Sequence, residues 1–231
     1  MAQSNSKHRL PGFDSALEGL RADVLLMGSL VRRSFANARA GFEQREDDRC
    51  TTVIADDEEV DLLEKQIDKA GTEILIRFAP LAGDLRLVLG TIKVGSILER
   101  LSDAVVAIAR RARKLNQDEA TDEAEAARPV FDALERSLGL GLVAFSRVDG
   151  VIAEEVRNQM ESLAEQSRDL DERFSDCIPT HPGNARALVN LMAVAQVLEA
   201  IAYLLENLVE EVIYIAEGTD VRHPGNTLEI T

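Results

Sequence analysis

Residues 80–108 read PLAGDLRLVLGTIKVGSILERLSDAVVAI, and residues 180–208 read THPGNARALVNLMAVAQVLEAIAYLLENL. Set 100 positions apart, Asp84-Leu85-Arg86 falls on Asn184-Ala185-Arg186. Val94 falls on Val194, Ile97 on Val197, Leu98 on Leu198 and Glu99 on Glu199. A self-similar stretch of this length marks a duplicated helical unit. The copies part at one position of chemical weight, where Asp103 in the first is Tyr203 in the second. Two carboxylates four apart on a helix can hold a metal ion, so only the first copy keeps that pair complete.

Working outward, the preceding segment repeats as well, at an offset of 96. Val60 matches Val156, Ile67 matches Leu163, Ile74 matches Leu170 and Phe78 matches Phe174. The change of offset from 96 to 100 places four extra residues in the second corner. Ahead of the repeat, Leu17, Leu20, Val24, Met27, Val31 and Phe35 recur every three or four residues, as one face of a helix requires. The pattern predicts a first helix over residues 13–47, a break around 48–52, and a second helix ending before Pro80, which disfavours helix in the residue ahead of it. Asp84 is placed as the N-cap of a third helix reaching Leu115. The second half follows with helices over residues 126–148, 151–174 and 185–216. Asp149-Gly150 is a turn signal and Gly218 a stop. The expected architecture is all-α, two tandem antiparallel three-helix bundles. The expected divisions are an N-terminal arm (1–12), a first repeat (13–115), a linker (116–125), a second repeat (126–217) and a C-terminal tail (218–231).

Composition agrees with helices joined by aliphatic side chains. Of 231 residues, 45% are hydrophobic but only 4% aromatic, with no Trp and 6 Pro. The formal net charge of -15 repels phosphate backbones and anionic bilayers, which argues against nucleic-acid binding. It suits a cation or a basic partner. Cys50 and Cys177 stand far apart and in no metal spacing, as in a reducing compartment. The N-terminus lacks a signal-peptide core, and no run of 18 uninterrupted apolar residues occurs. A cytoplasmic protein without a membrane span is expected.

Acidic side chains form the one constellation with chemistry in it. Asp57, Asp61, Glu64 and Asp68 recur at spacings of four, three and four, making one stripe on the second helix. Glu99 and Asp103 sit four apart on the third. If these helices are antiparallel neighbours, Asp57, Asp61, Glu99 and Asp103 surround one location. All-oxygen ligation suits hard cations such as Mg, Mn or Fe. An acidic stripe is also what an ordinary solvated helix face looks like. In the second half Ala153 replaces Asp57, Arg157 replaces Asp61 and Tyr203 replaces Asp103, leaving Glu199 alone. A second site of this kind is expected to be lost, with Tyr203 serving packing instead. None of His8, His181 and His223 lies in a Glu-x-x-His pair of the di-iron type. No phosphate-binding loop, nucleotide fingerprint or nucleophile triad is present, and no enzymatic activity is expected.

Three motifs, Asp57-Glu58-Glu59-Val60-Asp61, Pro80-Leu81-Ala82-Gly83-Asp84-Leu85-Arg86 and Glu99-Arg100-Leu101-Ser102-Asp103, resemble the first repeat of the PhoU family of phosphate-transport accessory regulators. The stretch from Glu210 to Gly218, with Asp220-Val221-Arg222-His223 after it, resembles that family's C-terminal signature. The resemblance runs over about residues 13–223. It implies two three-helix bundles, and metal held by acidic motifs, which here maps to Asp57, Asp61, Glu99 and Asp103. It implies negative regulation of phosphate uptake and phosphate-starvation signalling. The implied partners are the ATPase subunit of the phosphate ABC transporter and the phosphate-sensing histidine kinase, and many members are homodimers. This chain departs from the pattern at Glu199-Ala200-Ile201-Ala202-Tyr203, where Glu-Arg-x-x-Asp is expected. The competing reading is a divergent metal-binding helical bundle or scaffold with no role in the phosphate regulon.

Overall fold

The computed structural model describes residues 11–219 and 221. Six α-helices make up the fold: α1 (Phe13–Glu43), α2 (Asp47–Phe78), α3 (Ala82–Leu115), α4 (Arg128–Arg147), α5 (Gly150–Cys177) and α6 (Ala185–Glu217). Short 3-10 turns at Asp122–Ala127 and Pro182–Asn184 lead into α4 and α6. Among the described residues there is no strand. The expected arm and tail fall almost wholly outside the described residues, as do His8 and His223.

Each half is a three-helix bundle whose helices alternate in direction. The apolar stripe of α1 turns inward: Leu17, Leu20, Val24, Met27, Val31 and Phe35 are all buried. Val60, Ile67 and Ile74 do the same for α2, and their repeat partners Val156, Leu163 and Leu170 for α5. The halves share one apolar core. They meet along α3 and α6, which run antiparallel. Lys93 of α3 pairs with Glu211 of α6 at 3.1 Å, and Arg111 reaches Asn190 at 3.4 Å. The second seam joins α1 to α4, where Phe131 packs edge-to-face on Phe35 and tilted on Phe42 at centroid distances of 6.0 and 5.2 Å.

Because α6 packs against α3, α4 and α5, it is apolar on nearly every side. An 18-residue window within Pro182–Glu217 reaches a mean hydropathy of 1.9, long and apolar enough to cross a bilayer, yet 56% of it is buried within the fold. Burial from several directions accounts for that composition.

Several local expectations are corrected. The break after α1 lies at residues 44–46, ahead of the expected 48–52, so Asp47 and Asp48 open α2. Two acids there suit the positive end of the helix dipole. Arg45 makes the turn with φ 59° and donates through its guanidinium to the carbonyls of Asn116 and Asp118, tying the corner to the linker. Asp84 is not the N-cap of α3: Leu81 holds that place, and Asp84 sits inside the first turn. Asn184 caps nothing by its side chain. Asp149 does cap α5, accepting from the N–H groups of Val151 and Ile152 at 3.0 and 3.1 Å. The α5–α6 corner (178–184) is four residues longer than the α2–α3 corner (79–81).

Candidate functional site

The antiparallel packing of α2 and α3 sets the acidic stripe of one beside the acidic pair of the other. Close packing makes this possible. A Cβ on Gly95 would stand 3.0 Å from Ile67, and one on Gly71 would overlap Ile92 at 2.4 Å. Asp57, Asp61, Glu64 and Glu99 are half-buried along this seam, while Asp68 and Asp103 are exposed at its edge. Asp57 is fixed from α3, since the Ser102 hydroxyl donates to its Oδ1 at 2.7 Å.

The carboxylates affect one another. The Glu99 pKa is raised, first by burial and then by Glu64, Asp103, Asp61 and Asp57. The Glu64 pKa is raised too, by burial first and then by Asp68 and Asp61, with Lys65 opposing. Among the described residues, no Lys or Arg forms an ion pair with Asp57, Asp61, Glu64, Glu99 or Asp103. Burial first, and then mutual repulsion, disfavours the ionised state. Glu64 is therefore a member of the cluster that the four-residue set omitted. Its signal was present in the stripe, but only the packing of α3 shows it to be the carboxylate acting most strongly on Glu99.

The donor set suits a hard cation in its chemistry: five carboxylates, no soft ligand, and, among the described residues, no Lys or Arg ion-paired with any of them. As the side chains stand, no group of three or more His, Cys, Asp or Glu among the described residues is gathered closely enough to hold a metal ion. Glu64 and Glu99 are the long, rotatable members through which the set would have to close.

At the equivalent place between α5 and α6 the chemistry is different. Ala153 is buried where Asp57 stood, and Met160 and Ala164 are buried at the places of Glu64 and Asp68. Arg157 turns back along its own helix to Glu154 at 2.8 Å. Arg168 crosses to α6, 2.7 Å from Glu199 and 2.8 Å from the Tyr203 hydroxyl, and these bonds raise its pKa. Tyr203 is 45% exposed, so its expected role in packing is replaced by a role in this polar triad. A guanidinium supplied by the chain itself occupies the second seam.

A tandem pair of three-helix bundles, with a carboxylate-lined seam in the first and an arginine-bridged seam in the second, is the class of protein the fold and site define. Residues 24–112, spanning most of α1 to α3, match the family model of the PhoU domain. A Pseudomonas putida protein named as a phosphate-specific transport system accessory protein PhoU homolog is 29% identical, covering 96% of this chain and 88% of its own length. The Escherichia coli K12 phosphate-specific transport system accessory protein PhoU is 26% identical over 95% of this chain and 91% of its own. The crystal structure of PhoU from Pseudomonas aeruginosa superposes with a TM-score of 0.87 at 26% identity, over 90% of this chain and all of that one. The Streptococcus pneumoniae phosphate transport system regulatory protein PhoU shares the fold, with a TM-score of 0.83. The chain carries a match to the PhoU domain in its first half and resembles PhoU proteins in sequence and in fold over nearly its whole length.

Proposed function

We propose that this protein is a non-enzymatic, cytoplasmic negative regulator of phosphate uptake and phosphate-starvation signalling. It acts by contact with the ATPase subunit of the phosphate ABC transporter and with the phosphate-sensing histidine kinase, as a homodimer. The observation that carries this reading is the near full-length likeness, in sequence and in fold, to accessory proteins of phosphate-specific transport systems. The mechanism is a population shift, in which a partner or a cation favours one docking-competent arrangement.

Asp57, Asp61, Glu64, Glu99 and Asp103 would hold the cation, Mg, Mn or Fe. A bound hard cation would supply the positive charge that the seam lacks. Ser102 orients Asp57, and the carboxylates carry the repulsion that binding would relieve. The metal-free second seam, with Arg168 in place, would be insensitive to cations.

The test is an alkaline phosphatase reporter of the phosphate regulon in a deletion strain grown with ample phosphate. Constitutive expression is expected. Unchanged, repressed expression would overturn the reading and favour a divergent metal-binding bundle or scaffold, to which the altered second seam already lends weight.

A further inference from the structure

We infer that the groove between α1 and α4 is the docking site for an acidic amphipathic segment of a partner protein. The inference rests on the regulatory reading above for the identity of that partner. The groove has a volume of about 660 Å³. It lies where the two bundles meet, so each half supplies one wall. Leu25 and Ala36 of α1 face Leu142 and Val143 of α4 across an apolar floor. The helices can approach because Gly28 has no side chain, as a Cβ there would stand 2.4 Å from Leu142. Leu26 and Leu140, 49% and 45% exposed, lie on the same two helices.

The charge of the rim picks out the occupant. The chain as a whole carries -15, yet the groove is lined by Arg32, Arg33 and Arg147 with Glu135 as its one acid. Glu135 is bound to Arg39 at 3.0 Å, and Arg33 to Asp56 at 3.1 Å with Glu59 at 4.0 Å. Among the described residues, Arg32 and Arg147 form no ion pair or hydrogen bond. The Arg32 guanidinium reaches across the groove to α4, 3.7 Å from where a Cβ on Gly139 would stand. Arg21, beside this end, donates to the carbonyls of Phe145 and Ser146 at 3.3 and 2.9 Å, and not to a carboxylate. An apolar floor beneath uncompensated arginines fits a helix or strand with apolar residues on one face and carboxylates at its edges. A polyanion such as nucleic acid would meet the charge of the rest of the surface.

The experiment measures binding of the full chain to the purified ATPase subunit of the phosphate transporter, and separately to the cytoplasmic part of the sensing kinase. The variants are Arg32→Glu with Arg147→Glu, Val143→Ser, and the control Arg173→Glu on α5. All four positions are exposed and Arg32 and Arg147 are unpaired, so folding is preserved, as circular dichroism would show. Wild type and Arg173→Glu are expected to bind one of the partners, more weakly as salt rises, and the arginine pair reversal to weaken binding tenfold or more. Val143→Ser should weaken it several-fold. Equal binding by all variants overturns the groove while leaving the regulatory reading intact. No binding by wild type to either protein overturns both. A photocrosslinker at position 143 should mark a partner segment rich in Asp and Glu, and a neutral or basic segment would overturn the acidic class.

Discussion

Arg168 and Glu199 lie 2.7 Å apart across the α5–α6 seam, whereas among the described residues no Lys or Arg makes such a pair with Glu99 between α2 and α3. The pair explains how one duplicated fold can carry two electrostatically different seams. In the second half Glu199 is answered from within the chain, whereas in the first Glu99 faces further carboxylates.

Cation binding should therefore be asymmetric. Titration of the metal-free protein with Mn2+ is expected to show one class of site per chain. Asp103→Ala and Glu64→Gln should weaken it by about tenfold or more, ~1.4 kcal/mol per tenfold. Tyr203→Ala should leave it unchanged. Isothermal titration giving the same stoichiometry and affinity in all three variants would sink the assignment.

Glu99 also makes stability depend on pH, with a definite sign. Its folded-state pKa lies above the ordinary 4.5, so between those values the folded protein binds more protons than the unfolded chain. Stability then falls as pH rises through that window, and the gain from protonation is full only below the ordinary value. Glu64 acts in the same direction. Thermal unfolding of Glu99→Gln, compared with wild type from pH 4.5 to pH 7.5, should show a flatter profile and a higher Tm at the upper end. A lower Tm at pH 7.5 would contradict a repulsive seam.

How much of this was legible in the sequence follows from which interactions are local. Helix faces are set by spacing along one chain, so the stripe from Leu17 to Phe35 and the Val60/Val156 and Ile67/Leu163 matches foretold which sides are buried. The α1–α2 break was misplaced because Arg45 ends the helix through bonds to residues 116 and 118, and such a long-range partner leaves no local trace. Asp84 has the chemistry of a cap, but the turn begins three residues earlier at Leu81. Glu64 was visible as part of a stripe, and only the position of α3 singled it out. Arg168 was invisible as a counter-ion, since at the 96-residue offset it matches Thr72, outside any acidic motif.

The two cysteines should differ in reactivity. Cys50 is fully buried, and burial pushes its thiol up to about 11, with Asp47 adding to the effect. Its sulfur lies where a side chain on Gly41 would be, 2.3 Å from a Cβ built there. Disulfide-exchange labelling of the folded protein at pH 8 is expected to modify Cys177 alone, because only thiolate reacts. Gly41→Ala should cost about 1–3 kcal/mol through overpacking, read by urea denaturation. Rapid labelling of Cys50 in the native protein would show that this corner opens.

Phe131 decides whether the two halves behave as one body. It belongs to the second bundle, is fully buried, and packs against the rings of Phe35 and Phe42 of the first. The core runs without interruption from α1 to α6, so neither half presents a complete apolar surface of its own. Heating should give a single transition whose calorimetric and van't Hoff enthalpies agree. Phe131→Ala should cost roughly 3–5 kcal/mol, with most of the loss at the seam between bundles rather than within either. The expected result is a lower Tm, with the calorimetric enthalpy now exceeding the van't Hoff value as the halves begin to melt apart. If wild type already melts in two separate steps, the bundles are independent, and a docking groove built from both would have no fixed shape to offer.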